Sequence, residues 1–262
     1  MRFPPLILVI LLPACAPHIS RQQVTYTAYR YTQVRWTPEE RHVRHGVDSK
    51  GIVVKTPDRT ISAKRGWWRP GHEAVSMPYQ WGGFDTPETF LKKIQMGYKA
   101  GDIGDATKRQ LGDAGVSLES CGIDCSGFVS RCWGLSRPYS TKELPKISER
   151  IEWDELKPGD ILLNDRHVVL FIKWKVEGKE LTGYDAGPFP VWSVHPCGLS
   201  KNALLKEGYA PWRYKHIVEE KWQAPAQVIP PKKLWIRKDK HTPASMNPIS
   251  GSSRNFWVRD GY

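Results

Sequence analysis

The first third of the chain carries a strand-like pattern of polar and apolar residues. Val24 to Trp36 is rich in Thr, Tyr and Val with rough alternation, which predicts a strand. Gly51–Lys55 and Thr60–Lys64 flank a Thr-Pro-Asp-Arg segment that is typical of a turn with Pro at its second position. Residues 24–70 are therefore predicted to be a small β-rich lead-in, which is short for an independent domain.

Two helices are predicted in the middle of the chain. Thr86-Pro-Glu predicts a helix start, with Thr86 as N-cap and Pro at the first helical position. Apolar side chains then recur at helical spacing from Phe90 to Tyr98. A second helix is predicted from Cys125, because Phe128 and Cys132 fall on one side of it together with their neighbours Val129 and Trp133.

Short apolar runs after these helices predict a sheet. Leu156-Lys-Pro-Gly-Asp160 is a turn pattern, and Ile161–Leu163 and Val168–Ile172 follow it as two adjacent buried strands. A third strand is predicted to end at Tyr184-Asp185, after a Glu177-Gly-Lys-Glu180 turn. Helices followed by strands predict an α+β fold.

The N-terminus has the pattern of an export signal. Arg2 precedes the apolar run Leu6 to Leu12, and Leu-Pro-Ala14 then leads to Cys15, which predicts a signal peptide over residues 1–14. The run also resembles a bacterial lipoprotein signal, which implies lipidation of Cys15, a membrane anchor and a polar tether over residues 15–23. Ordinary secretion and a meaningless apolar start are the alternatives, and the expected location is the cell envelope.

Composition and charge narrow the class of protein. With 12 Trp and 40% hydrophobic residues among 262, the chain can build a core, and no later stretch approaches the roughly 18 apolar residues of a membrane-spanning helix. The net charge is +12, and residues 223–262 form a basic, Pro-rich tail with seven Lys or Arg against two Asp. This tail is expected to be solvated or attracted to an anionic surface, whereas nucleic acid is not an expected partner of an exported chain.

Three side chains have the chemistry of a thiol nucleophile and its base. Cys125 is predicted at the first turn of a helix, where backbone N–H groups and the helix dipole favour a thiolate. His167 stands at the start of a predicted strand and can serve as the base, while Asp185 ends the next strand and can orient the imidazole. Each of these residue types alone is more often structural, so the combination carries the prediction.

The chain resembles the NlpC-type bacterial cell-wall cysteine peptidases, which have a papain-like α+β fold. The resemblance spans about residues 75–215 and rests on four segments in the family's order. They are Pro78-Tyr-Gln-Trp-Gly-Gly83, Asp124-Cys-Ser-Gly-Phe128, Leu156-Lys-Pro-Gly-Asp-Ile161, and His167-Val-Val-Leu-Phe171 followed by Tyr184-Asp-Ala186.

The resemblance implies roles for six residues within a domain over residues 71–222. Cys125, His167 and Asp185 match the nucleophile, the base and the third polar residue. Tyr79, Asp124 and Ser126 match positions that line the pocket for the free amine of a peptide stem. The family implies peptidoglycan stem peptides as substrate, with cleavage between γ-D-Glu and a diamino acid, and it requires no metal or organic cofactor.

The chain departs from the family pattern at two places. Family members place few residues between Trp-Gly-Gly and Asp-Cys, whereas residues 84–123 intervene here with a predicted helix. This insert is expected at the rim of the cleft, so the family's substrate preference need not apply. The third polar residue varies within the family, and an Asp at position 185 is compatible with orienting a histidine.

Other assignments of the cysteines and histidines remain open. His195 is expected in a Pro-flanked turn and is a weaker candidate for the base. Zinc binding is not expected, because the cysteine spacings differ from those of common structural sites. Two of Cys121, Cys132 and Cys197 could form a disulfide, although the pairing cannot be deduced from sequence. Ser126 is a poorer nucleophile than the adjacent thiol.

Three functions fit the same residues. The first is hydrolysis of stem peptides by a Cys-His-Asp thiolate mechanism. The second is a non-catalytic wall-binding lipoprotein, which the presence of all three polar groups argues against. The third is acyl transfer by the same thiol, which differs only in the acceptor that enters after the acyl-enzyme has formed. The oligomeric state is not predicted.

Overall fold

The computed structural model describes residues 18–58, 67–187 and 191–219. Within these ranges the protein is a mixed helix-and-sheet structure, which is compatible with the predicted α+β class. Its helices are α1 Arg21–Thr32, α2 Pro87–Gln95, α3 Ala106–Leu111, α4 Cys125–Cys132, α5 Leu144–Ile147 and α6 Lys201–Lys206. Its strands are β1 Ile19–Ser20, β2 Arg35–Trp36, β3 His45–Val47, β4 Val53–Lys55, β5 Ala74–Val75, β6 Lys99–Ala100, β7 Ser120–Cys121, β8 Ser148–Arg150, β9 Ile161–Leu163, β10 Val168–Val176, β11 Glu180–Ala186, β12 Val194–Ser200, β13 Ala210–Tyr214 and β14 Ile217–Val218.

A six-stranded antiparallel sheet forms the centre of the molecule, in the order β12-β11-β10-β9-β13-β8. The predicted pair β9 and β10 is confirmed, with Val168 opposite Leu163. The turn before β9 is also confirmed at Pro158-Gly159, as is the turn that joins β10 to β11. Strands β10 and β11 are antiparallel neighbours, so the start of β10 lies beside the end of β11. Residues 167 and 185 are therefore in the same region.

Both predicted helix starts are confirmed. Thr86 caps α2, since its hydroxyl accepts the Thr89 N–H at 3.2 Å, and Pro87 follows at the first helical position. Helix α4 begins at Cys125 with Asp124 as its cap, and it packs on β10 and β11. Its apolar side is fully buried, including Phe128, Val129, Cys132 and Trp133.

The strand predicted over residues 24–36 is wrong, because Arg21–Thr32 is a helix and only Arg35–Trp36 is extended. Val24, Ala28 and Tyr31 are buried at a spacing of four and three residues, which is a helical period. Helix α1 packs on α4, so tertiary burial outweighs the β-propensity of Thr, Tyr and Val. The lead-in is thus not β-rich alone, and it shares one hydrophobic core with residues 71–218.

The polar tether predicted over residues 15–23 is also shorter than expected. Ile19 and Ser20 pair in parallel with β14, and the Ser20 hydroxyl caps α1 by accepting the Gln23 N–H at 3.2 Å. Arg21 is buried and its guanidinium donates to Asp160 at 2.8 Å. Residues 18–23 are therefore part of the fold.

The insert over residues 84–123 contributes to the core, and its expected position at the cleft rim stays a prediction. Phe90, Ala100 and Ile123 are fully buried in the main cluster. An isolated bridge between Phe84 and Ile123 brings the two ends of the insert together, and strands β6 and β7 pair its middle with its last part. The insert therefore starts and ends at the same place in the fold, and it contains helices α2 and α3.

Several predictions lie outside the described residues. They are the signal peptide over residues 1–14, the lipidation of Cys15, the strand over residues 60–64 and the tail over residues 223–262. Among the described residues, no helix has the length and hydrophobicity that crossing a membrane requires.

Candidate functional site

Cys125 occupies the first helical position of α4, as predicted. Its side chain lies at the boundary of the core, with 8% of the residue exposed. An N–H at the first helical position has no acceptor within the helix, and the positive end of the dipole lies there. The thiol is therefore placed where a negative charge on sulfur, or on an oxygen bound beside it, is stabilised.

Asp124 ties the start of α4 to the Gly82-Gly83 loop. One carboxylate oxygen accepts the Gly127 N–H at 2.6 Å and the Ser126 hydroxyl at 3.0 Å, while the other accepts the Gly82 N–H at 3.1 Å. The Asp124 N–H in turn donates to the Gly83 carbonyl at 3.2 Å. A side chain at Gly127 would meet that carbonyl at 2.2 Å, so only glycine permits this close approach.

His167 is fixed by the tight turn between β9 and β10. The Asn164 side-chain oxygen accepts the backbone N–H groups of Arg166 at 3.0 Å and His167 at 2.8 Å. The Asn164 N–H donates to the His167 carbonyl at 3.0 Å, which closes the turn. The Asn164 side-chain N–H also donates to the backbone carbonyl of Glu207 at 3.1 Å. This bond fixes the turn to the C-terminal end of α6.

His167 and Asp185 form a buried ion pair. The imidazole Nε2 lies 2.9 Å from Asp185 Oδ1, and the two side chains are 14% and 5% exposed. The ring N–H does not point along this line closely enough to make a hydrogen bond, and neither atom bonds to another described residue. Charge therefore dominates the contact, and it favours the imidazolium form.

The pKa of His167 lies well above its usual value. Burial lowers this pKa, but the negative charge of Asp185 and then that of Cys125 raise it by more. The raised pKa favours the imidazolium form, and this ring lies close enough to Cys125 for the two charges to interact. Such a cation stabilises a thiolate, which is the reactive form of cysteine.

Tyr79 forms a wall of the site next to the thiol. Its ring packs edge-on against Trp192 at 5.2 Å between centroids, and a side chain at Gly187 would meet the same ring at 2.3 Å. Burial raises the pKa of the phenol, and the charges of Cys125 and Asp124 raise it further. Trp192 has a left-handed backbone with φ of 49°, an uncommon conformation for an aromatic residue.

All six residues singled out in the sequence lie around α4, the β9–β10 turn and β11. The charges of Cys125 and Asp185 both act on His167, and the charges of Cys125 and Asp124 both act on the Tyr79 phenol. Ser126 is half-buried and donates to Asp124, so its hydroxyl supports the cap. Asp124 itself is occupied by three donors, and burial raises the pKa of its carboxyl.

The expected turn at His195-Pro-Cys197 is wrong, because Val194–Ser200 is strand β12, in which His195 is opposite Asp185. The His195 Nδ1 lies 2.9 Å from the Ser193 carbonyl. The described cysteines Cys121, Cys125, Cys132 and Cys197 are unpaired thiols. Within the described ranges, no group of three or more His, Cys, Asp or Glu side chains is arranged to hold a metal ion.

Two neighbours of His167 were not predicted from the sequence. The Tyr209 ring packs edge-on against the imidazole at 6.4 Å between centroids, and burial raises the pKa of its phenol to about 12. Asn164 is the second, through the turn that it closes. Asn before Asp is a turn signal, so Asn164 was detectable in the sequence, whereas nothing in the spacing points to Tyr209.

The sequence was compared with protein-family models and with curated proteins. No protein-family model matches the chain, and no curated protein matches its sequence at a significant level.

Proposed function

We propose that the protein is an exported cysteine peptidase that hydrolyses peptide or isopeptide bonds in peptidoglycan stem peptides. The observation that carries the proposal is the buried imidazole of His167, which lies 2.9 Å from the Asp185 carboxylate and whose pKa is raised by the charges of Asp185 and Cys125. A protein that only binds the cell wall does not need a thiol, an imidazole and a carboxylate grouped in this way. The substrate class rests on the resemblance of four segments to NlpC-type peptidases with a papain-like fold, and export rests on the N-terminal pattern with Cys15.

The proposed reaction proceeds through an acyl-enzyme. The Cys125 thiolate attacks the substrate carbonyl, and the oxygen that becomes negative is stabilised by the Cys125 N–H and by the Tyr79 hydroxyl. The His167 imidazolium gives its proton to the leaving amine as the C–N bond breaks. The neutral imidazole then removes a proton from water, whose oxygen attacks the thioester carbonyl as the C–S bond breaks, which releases the carboxylic acid and restores the thiolate–imidazolium pair. Asp185 keeps the imidazole oriented and stabilises its charged form.

Incubation of the purified protein with defined muropeptides tests the proposal. We expect free stem fragments from the wild type and none from Cys125→Ala, because no other group supplies the nucleophile. Cys121→Ala is the matched control, since this thiol is fully buried and burial raises its pKa well above the usual value. Circular dichroism checks that both variants fold.

The products separate the three functions by mass spectrometry. Free fragments support hydrolysis, and conjugates to an amine instead identify acyl transfer by the same thiol. Intact muropeptides that still bind the protein identify a wall-binding function. Turnover that survives Cys125→Ala contradicts the thiol mechanism altogether.

A further inference from the structure

The imidazole of His167 has two nitrogens, and Asp185 occupies one of them. Nε2 lies 2.9 Å from the Asp185 Oδ1 atom. Only Nδ1 is then left to exchange a proton with the Cys125 thiol in the proposed reaction. Rotation of the ring about its Cβ–Cγ bond would change where Nδ1 points. The plane of the ring must therefore be fixed for the reaction.

The contact with Asp185 does not fix that plane by itself. No hydrogen bond joins the Nε2 and Oδ1 atoms, and neither bonds to another described residue. A hydrogen bond needs an aligned N–H, whereas the attraction between two charges depends mainly on their separation. The plane of the imidazole therefore depends on what packs against the ring.

Tyr209 supplies a packing contact to the imidazole that depends on direction. The two ring centroids are 6.4 Å apart and the ring planes are inclined by 88°. Aromatic rings attract one another edge-to-face at about 4.5–7 Å, and this attraction depends on the angle between them. Among the described residues, none makes a hydrogen bond with the Tyr209 hydroxyl, so the ring alone makes the contact.

The backbone and the core hold Tyr209 beside the turn that carries the imidazole. The Tyr209 N–H donates to the Leu204 carbonyl at 2.9 Å, and both side chains are buried in the same hydrophobic cluster. The next residue, Ala210, begins β13 and is opposite Leu163 on β9. Leu163 directly precedes Asn164, which closes the turn. The phenol and the imidazole are thus attached to one corner of the sheet.

We propose that Tyr209 is a positioning residue whose ring fixes the plane of the His167 imidazole, with Nε2 toward Asp185 and Nδ1 toward the Cys125 thiol. This inference rests on the proposed peptidase function and adds a residue to its machinery. Tyr209 acts through the imidazole and touches no reacting atom. Its loss should therefore slow the chemical step more than it weakens substrate binding.

Substitutions that keep or remove the ring of Tyr209 test the inference. Tyr209→Phe keeps the ring, whereas Tyr209→Met replaces it with a flexible apolar chain that can fill the same space. We expect Tyr209→Phe to stay within about twofold of the wild type. Tyr209→Met should lower kcat on muropeptides by about threefold to tenfold and change KM little.

Alkylation of Cys125 by iodoacetamide gives a second readout that needs no peptide. At about pH 6 an unassisted thiol is almost wholly protonated, so the rate reports the thiolate that the imidazolium stabilises. We expect Tyr209→Met to slow this alkylation about threefold to tenfold and Tyr209→Phe to leave it unchanged, with mass spectrometry assigning the label. Phe171→Met is the matched control, because Phe171 is buried in the same cluster but packs on Trp174.

The two proposals can fail separately. Equal effects of Tyr209→Met and Phe171→Met on both readouts overturn the positioning role, as do wild-type rates in Tyr209→Met or an equal loss in Tyr209→Phe. Wild-type alkylation as slow as that of free cysteine also overturns it. If Tyr209→Met does not fold, as judged by circular dichroism, Tyr209→Leu takes its place. If the wild type cleaves no muropeptide, the proposed function fails, and the alkylation rates still decide the role of Tyr209.

Discussion

His167 shows how three local effects set the charge of one side chain. Burial disfavours the imidazolium, while two negative neighbours favour it, and the neighbours prevail. The Asn164 turn fixes where the ring lies, and Asp185 on the next strand fixes its charge. A histidine in an exposed turn would have neither constraint.

Asp185→Asn should move the alkaline limit of activity to lower pH. The imidazolium form is present below the raised pKa and is lost as pH rises through it, so removing the carboxylate lowers that pKa and the thiolate–imidazolium pair is lost earlier. We expect kcat/KM to fall by roughly 10²–10⁴-fold as the ring also loses its orienting partner. A pH profile of kcat/KM measures both effects.

The exposed Asp154 provides a control of equal charge change. Asp154→Asn should leave the pH profile as in the wild type. An unchanged alkaline limit in Asp185→Asn would contradict the proposed source of the raised pKa.

At the scale of the element, the N-cap of α4 both stabilises the helix and positions residues of the candidate site. Asp124 accepts hydrogen bonds from the first turn of the helix and from the Gly82 N–H, so one carboxylate positions the Cys125 helix and the loop that follows Tyr79. A cap elsewhere, such as Ser20 on α1, stabilises only its helix. The motif Asp-Cys-Ser-Gly thus supplies the N-cap of the helix as well as the candidate nucleophile.

Asp124→Ala should cost about 1–2 kcal/mol of unfolding free energy, as other N-cap removals do, and should also lower kcat/KM. Ser20→Ala should cost a similar amount without affecting kcat/KM. Urea unfolding and steady-state kinetics on both variants separate the two effects. Equal kinetic behaviour of the two variants would show that the cap has no role in the site.

At the scale of the whole molecule, Asp160 connects the N-terminal segment to the sheet. Its carboxylate is fully buried and contacts Arg21 and Arg213, each at 2.8 Å, while it also accepts the Lys157 N–H at 2.8 Å. Arg21 opens α1, and Arg213 lies on β13. The Pro-Gly-Asp turn therefore holds the two ends of the described chain together.

Asp160→Ala should destabilise the protein by about 3–5 kcal/mol, because it leaves buried guanidinium groups without their carboxylate. Glu219 contacts Arg21 from the exposed side at 2.9 Å, and Glu219→Ala should cost only about 0–1 kcal/mol. Urea denaturation midpoints compare the two. Similar losses would mean that burial of Asp160 does not determine the strength of the network.

The regions that the sequence predicted well are those where local signals coincide with burial. Thr86-Pro and Asp124-Cys carry cap residues directly before an apolar helical period, and Ile161–Leu163 and Val168–Ile172 are short apolar runs bounded by turns. The strand expected over residues 24–36 failed because Thr, Tyr and Val have strand propensity, whereas the packing of Val24, Ala28 and Tyr31 on α4 decides the helix. The expected turn at His195 failed because Pro196 lies on β12 at the edge of the sheet, where a strand tolerates a missing N–H.

The sequence by itself determined the mixed class of the fold, the starts of α2 and α4, and the residue types available for thiol chemistry, since caps, turns and hydrophobic periods act over a few neighbouring residues. Only the tertiary structure decided that His167 and Asp185 meet near Cys125 and that α1 joins the core. These facts depend on contacts such as that of His167 with Asp185, 18 positions apart, and that of Tyr31 with Phe128, 97 positions apart, whose strength comes from burial and from charges at short range. No local pattern encodes such distances.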